Sequence, residues 1–358
     1  MSDLDTRDDE AASASSFPWP ALPPWHERTL AELLARRSAL PHALLFHGPR
    51  GIGKHALALH VARGLLCESP MADGLACGAC ASCRYVAVGA HPDLVRLELL
   101  AIDNDTGEMM PVDTIGIERV RGMIDFVQLT SHRQRGKVAV IAPAERMNLP
   151  AANALLKTLE EPPPGTYLLL VSDQPGRLPP TVLSRCRKVP LHAPAREVSE
   201  AWLAAHGAID VATILAQAGG APLAALALAD PETQSERRTW LAALARAERL
   251  PVLEMASRVE LGGREERKQR LARAVEWILA WCADLARVAA GDAPQRNPDF
   301  AQALTGLAAR VARPALFRYH RAVLEQRALL AHPLQPRLVA ESLLLDYRAL
   351  FTATRTTP

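Results

Sequence analysis

Four short apolar runs punctuate the first half of the chain, at Ala43–His47, Asp93–Leu97, Val138–Ala142 and Tyr167–Ser172. Each is rich in Val, Leu or Ile and of strand length, and the stretches between them are long enough for crossover helices. That alternation predicts a parallel sheet flanked by helices. Ile117, Val120, Ile124 and Val127 recur at helical spacing within Thr114–Gln128, and Leu155, Leu156 and Leu159 follow Pro150, which suits a first helical turn. Pro162, Pro163 and Pro164 stop that second helix. Further helices are expected around Leu30–Leu40, after the opening Trp19-Pro20 and Trp25, and over Ala56–Leu66.

Beyond Leu191 no strand pattern remains. Short helices from Ala195 to Asp230, broken at Gly219-Gly220, give way from Pro231 to longer ones, and Leu271, Val275, Ile278, Cys282 and Leu285 form a stripe four turns long. Arg264–Arg270 reads as the solvated side of that bundle. The expected organisation is a disordered tail over 1–16, an α/β domain over 17–190, a small helical domain over 191–232 and a helical bundle over 233–358.

Composition sharpens this outline. A chain of 358 residues exceeds the size that one core usually serves. Its 49% hydrophobic content supplies ample core, while 4% aromatics and an Ala-, Leu- and Arg-rich second half favour helix-on-helix packing. The net charge of +2 gives no electrostatic footprint for nucleic acid. Met1–Ser16 holds five acids and one arginine, unlike a signal peptide, and no run of about eighteen uncharged apolar residues suggests a membrane span. A cytosolic protein is expected.

Two motifs carry chemistry. Gly48-Pro-Arg-Gly51-Ile-Gly53-Lys54-His55 joins a strand to a helix and matches a phosphate-cradling Walker A loop except at its end, where His55 replaces the hydroxyl that holds magnesium. The plainer alternative is a glycine-rich turn. Cys67, Cys77, Cys80 and Cys83 fall within seventeen residues, and thiolates so spaced close a tetrahedral structural site, with zinc the natural occupant. A redox pair would leave cysteines idle, and disulfides suit a cytosolic chain poorly. Cys186 and Cys282 read as packed thiols.

A phosphate loop followed by this four-cysteine module resembles the bacterial DNA polymerase III clamp-loader subunits, of the AAA+ class. His91-Pro92-Asp93, the run Asn153-Ala-Leu-Leu-Lys157-Thr-Leu-Glu160-Glu-Pro-Pro163 and Ser184-Arg185-Cys186 follow in that family's order, and Leu334–Leu350, with Glu341 to Leu345, is similar to its last collar helix. The resemblance implies an AAA+ P-loop domain, a helical lid and a C-terminal collar. It also separates motor subunits (gamma and tau) from a stator. Motor subunits end a strand in Asp-Glu; here Ala142 and Pro143 stand there, with Glu145 two residues later. No sensor arginine occupies Gly219–Leu223.

With His55, these departures imply weak or absent ATP binding at Gly48, Gly51, Gly53, Lys54 and His55, and no hydrolysis in cis. Arg185 matches the family's arginine finger, acting on a neighbour's ATP; the plainer role is a surface ion pair. By the same resemblance the partners are gamma/tau and delta in a heteropentamer, and through the complex the beta sliding clamp and primed DNA in the replisome. The polymerase reaction would belong to the holoenzyme. Asn153, Lys157 and Glu160 share one helical face, suited either to a local Lys–Glu pair or to a subunit or DNA contact. The rival readings are an active ATPase of the family, with Glu145 substituting, and a non-replicative AAA+ scaffold.

Overall fold

A computed structural model describes residues 19–102, 109–330 and 335–352. The expected tail at Met1–Ser16 and the expected helix start at Leu334 lie outside the described residues. The chain divides into two compact units, which adjoin in sequence at Pro194 and Ala195.

The first unit is built on a sheet of five parallel strands. Helix α1 (Glu27–Ala35) precedes β1 (Ala43–His47), α2 (Lys54–Leu66) and α3 (Ala81–Ala87). Then come β2 (Leu94–Leu97), the hairpin strands β3 (Leu100–Ile102) and β4 (Met109–Pro111), α4 (Ile117–Gln128), β5 (Lys137–Ile141), α5 (Leu149–Glu160), β6 (Thr166–Ser172), α6 (Pro180–Leu183) and β7 (Arg187–Pro190). The sheet order is β2-β5-β6-β1-β7, with β3 and β4 pairing antiparallel to one another. β1 lies between β6 and β7, the last two strands in chain order, so its neighbours arrive from both sides by crossovers. Leu44, Leu45 and Phe46 are fully buried, as a central parallel strand requires.

Local signals fix the helix ends. The Asn148 side chain accepts the Ala151 N–H at 2.9 Å and caps α5, Pro150 fills the first turn, and Pro162 follows the helix end. The expected parallel sheet and its flanking helices are present. Two features went unforeseen: the hairpin β3–β4, and β7, whose Arg-Lys-Val-Pro sequence is mostly exposed and carries no apolar run. The helix expected at Leu30–Leu40 ends at Ala35 and is followed by a 3-10 turn at Arg37–Ala39.

Among the described residues the second unit is all helical. α7 (Arg196–Ala205), α8 (Val211–Gln217) and α9 (Pro222–Leu228) enclose a small core of Leu203, Ile214, Leu215 and Ala225. A larger core gathers residues of α10 (Pro231–Leu244), α11 (Val252–Ser257), α12 (Arg264–Ala289), α13 (Ala301–Ala308), α14 (Arg313–Leu329) and α15 (Pro336–Thr352). The stripe Leu271, Val275, Ile278, Cys282 and Leu285 on α12 is buried there, and Arg264–Arg267 is exposed. Among the described residues no single helix is long and apolar enough to cross a membrane.

Two polar arrangements tie the helices of this unit together. Trp281 Nε1 donates to Tyr347 Oη at 2.8 Å, and Tyr347 Oη donates to Leu244 O at 3.1 Å, joining α12, α15 and α10. The Asp284 carboxylate, fully buried, accepts the backbone N–H groups of Gln295, Arg296 and Asn297. Tyr347→Phe removes the relay and orphans two buried groups, a loss of about 1–3 kcal/mol. Urea unfolding followed by tryptophan fluorescence should show that shift.

Candidate functional site

The loop Gly48–Gly53 leaves the carboxyl end of β1 and feeds the first turn of α2, the geometry that lets backbone N–H groups and a helix N-terminus face an anion. Gly48 has φ 153°, and a Cβ there would stand 2.0 Å from Leu191 O; Gly53, at φ 90°, caps α2 in the left-handed region. The loop is held from outside. Trp25 Nε1 donates to Ile52 O at 2.8 Å, and His26 Nε2 lies 2.7 Å from the same oxygen. A carbonyl only accepts, so His26 carries its proton on Nε2. Burial lowers the pKa of His26, outweighing the opposing pull of that hydrogen bond.

Lys54 is directed into the chain. Its side chain is 3% exposed, with Nζ 2.6 Å from Asp173 Oδ1 and donating to Pro49 O. Asp173 directly follows β6, which pairs with β1, so parallel register brings this carboxylate beside the loop. Glu145, in the turn after β5, accepts the Asp173 N–H at 3.1 Å and thereby fixes the same corner. Ala142 and Pro143 directly follow β5, and neither is an acid.

His55 Nε2 stands 3.2 Å from Glu98 Oε1, an ion-pair distance with its ring N–H off the line of a good hydrogen bond. Arg96 Nε donates to the same Glu98 oxygen at 2.6 Å. Burial raises the Glu98 pKa, but His55 and Arg96 together outweigh it and hold the group below its usual range. Asp173 and Glu98 were not picked out from the sequence. For Asp173 a signal existed: it is the first residue past the apolar run of a largely buried strand beside β1.

The four cysteines converge. Cys67 ends α2, Cys77 lies in the following loop and Cys80 caps α3, which contains Cys83. Their sulfurs all lie within 4.8 Å of one another, with Cys67 Sγ 3.6 Å from Cys77 Sγ and 3.9 Å from Cys80 Sγ. Tetrahedral zinc thiolates place sulfurs about 3.8 Å apart. Backbone N–H groups of Cys77, Cys80 and Cys83 point at the sulfurs of Cys67, Cys77 and Cys80, each at 3.4 Å. Burial opposes ionisation of Cys80, yet hydrogen bonds centred on Cys83 and Glu68 bring its thiol down to about 6, whereas burial pushes Cys83 up to about 12. These donors form a soft, closed set that fits a structural cation.

His91-Pro92-Asp93 anchors this module from behind. The fully buried Asp93 carboxylate accepts the His132 and Arg133 N–H groups, each at 2.8 Å, and the Ser131 hydroxyl at 3.0 Å, and stands 3.3 Å from buried Lys137 Nζ. The loop so fixed sends Arg135 to Cys67 O at 3.0 Å and Arg133 to Glu68, which in turn accepts from Ser82.

Arg185 follows the short helix α6. Its Nε donates to Glu160 Oε1 at 2.7 Å and its Nη2 to the same oxygen; Nη1 donates to Thr181 O at 2.9 Å and approaches Ser184 Oγ at 3.3 Å. Cys186 is buried, which pushes its thiol up to about 11. Asn153, Lys157 and Glu160 are all exposed on α5, and the partner of Glu160 is Arg185 rather than Lys157.

The family described as DNA polymerase III, delta subunit, matches residues 27–195. A protein of Pseudomonas aeruginosa named DNA polymerase III subunit delta' is 41% identical over 60% of this chain; the match spans 63% of that relative, less than two thirds of its length. A Haemophilus influenzae protein of the same name is 31% identical over 75% of this chain and 76% of its own. DNA polymerase III subunit tau of Escherichia coli is 33% identical over 47% of this chain and 26% of its own.

Removing the Asp93 carboxylate leaves Lys137 buried without its partner, and Asp93→Ala should cost about 3–5 kcal/mol in denaturant unfolding. Burial raises the Asp93 pKa, but the His132, Arg133 and Ser131 donors and Lys137 prevail and hold it below its ordinary value. Its contribution is therefore complete above about pH 4, the unfolded value, and is lost as pH falls through the lower folded one. Asp93→Asn should flatten that acid limb of a stability–pH curve.

Proposed function

Because the chain belongs to the family of DNA polymerase III delta' subunits, we propose that it acts as the stator of a bacterial clamp loader, helping to place the beta sliding clamp on primed DNA. In this reading it joins gamma or tau motors and delta in a heteropentamer. It hydrolyses no ATP itself and contributes to polymerase chemistry only through the holoenzyme. Residues 17–190 act as the AAA+ domain, 191–232 as a lid and 233–358 as the collar that assembles the pentamer.

The observation that carries the reading is the internal neutralisation of Lys54 by Asp173, at a site where Ala142 and Pro143 replace the acids that organise magnesium and water. A nucleotide would have to displace the Asp173 carboxylate to reach that buried lysine, and would find His55 where the magnesium ligand belongs. Arg185, by contrast, lies at the surface with its side chain 34% exposed. We assign it as the finger that enters a neighbouring motor's ATP site. There a guanidinium neutralises charge on the transferring phosphoryl group, a contribution of about 10³–10⁵ in related NTPases. Its pairing with Glu160 is compatible with that role, since exposed ion pairs are worth about 0–1 kcal/mol and yield to a phosphate.

The cysteine module is assigned as a structural zinc centre. Cys67, Cys77, Cys80 and Cys83 would hold the ion, which supplies cross-linking rather than catalysis because all four positions are taken by protein.

Arg185→Ala should leave assembly intact and lower the DNA-stimulated ATPase of the reconstituted complex by at least about tenfold; undiminished turnover removes the finger. Metal analysis of protein purified without chelator should find about one zinc per chain, and Cys80→Ser should lower both zinc content and the melting temperature.

A further inference from the structure

Glu160 holds Arg185 in a way that its own helix does not account for. It is the last residue of α5, where the carbonyl end of the helix disfavours a carboxylate, and it is followed by a second acid, Glu161. Its exposed side chain therefore gains nothing from its own helix. One oxygen, Oε1, takes both Nε and Nη2 of Arg185, while Thr181 O and Ser184 Oγ engage Nη1 from the opposite side. Four of the five donors that a guanidinium carries are thus directed at acceptors of this chain.

The two sets of acceptors differ in kind. Thr181 O and Ser184 Oγ are neutral and lie within four residues of Arg185 in sequence. They travel with it. Glu160 is anionic, half exposed, and twenty-five residues away on another helix. A phosphate oxygen has the same charge and the same acceptor character as Glu160 Oε1, and competes for the same two donors, Nε and Nη2.

We propose that Glu160 is a holster for Arg185: in the free chain it occupies the face of the guanidinium meant for phosphate, and docking against a neighbour's nucleotide exchanges carboxylate for phosphoryl oxygen while Thr181 and Ser184 keep the side chain aimed. This rests on Arg185 being the trans-acting finger. Glu160 is a positioning residue that restrains the finger until a phosphate is presented. Because the pair is exposed, the restraint is modest, about two- to fivefold in the population of free guanidinium, and weakens as salt rises.

The test uses the full chain alone and in the reconstituted complex. In the isolated chain, Glu160→Gln should raise the rate of phenylglyoxal modification at Arg185, read by peptide mass spectrometry, by about two- to fivefold at low salt, with the difference vanishing at high salt. In the complex without primed DNA, Glu160→Gln should raise ATP turnover by a similar factor, and the same change in an Arg185→Ala background should raise it not at all. Unchanged or slower labelling, or an equal rise in turnover without Arg185, overturns the holster while leaving the finger in place. If Arg185→Ala alone leaves turnover undiminished, the finger reading fails and the holster's role in catalysis fails with it, whatever the labelling shows.

Discussion

The first unit is arranged around a lysine that it cannot leave unpaired. Lys54 is 3% exposed, and a buried ammonium without a counter-charge costs several kcal/mol, so a carboxylate must arrive at the carboxyl end of β1. Asp173 arrives because β6 lies beside β1 in parallel register, His47 opposite Ser172, which puts the next residue of the β6 chain beside the loop. Glu145 then fixes the backbone of Asp173 from the end of β5. Three neighbouring strand ends are thus tied to one charge. The loop keeps the backbone shape of a phosphate cradle while its principal cation is satisfied within the chain.

Buried carboxylates organise both units by the same physics. Asp93 gathers the N–H groups of residues 132 and 133, and Asp284 those of residues 295 to 297. A carboxylate that accepts several backbone N–H groups satisfies loop donors that no strand or helix can reach, and its charge is stabilised in return. For Asp93 the consequence extends further. The ordered loop places Arg133 and Arg135 against Glu68 and the Cys67 carbonyl, so the cysteine module is braced from outside its own seventeen residues.

Much of this architecture was legible in the sequence. The four apolar runs are strands, and the stripe on α12 is buried, because continuous and periodic apolar patterns report burial directly. The cysteine spacing led to a cluster because short-range spacing on a tight turn fixes geometry. What escaped was non-local. β7 is Arg-Lys-Val-Pro, a strand by virtue of its place beside β1 and not by its composition. Asp173, Glu98 and the Asp93 carboxylate act on residues 38 to 119 positions away, and no pattern within one segment announces such a partner. Spacing places Glu160 on one face of α5 with Asn153 and Lys157, but its engagement with Arg185 depends on α6 packing against α5.

Two ion pairs of similar chemistry have opposite consequences in this chain because of where they sit. Lys54 is enclosed and its partner Asp173 is 29% exposed; Arg185 and Glu160 are 34% and 50% exposed. Exchanging the acceptor of the enclosed lysine means desolvating an incoming anion and expelling a carboxylate into water, whereas the surface arginine exchanges one hydrated anion for another. Under the proposed function this asymmetry is the division of labour itself. Phosphate chemistry is made costly at the chain's own loop and inexpensive at Arg185, so the cation that remains available is the one that faces a neighbour.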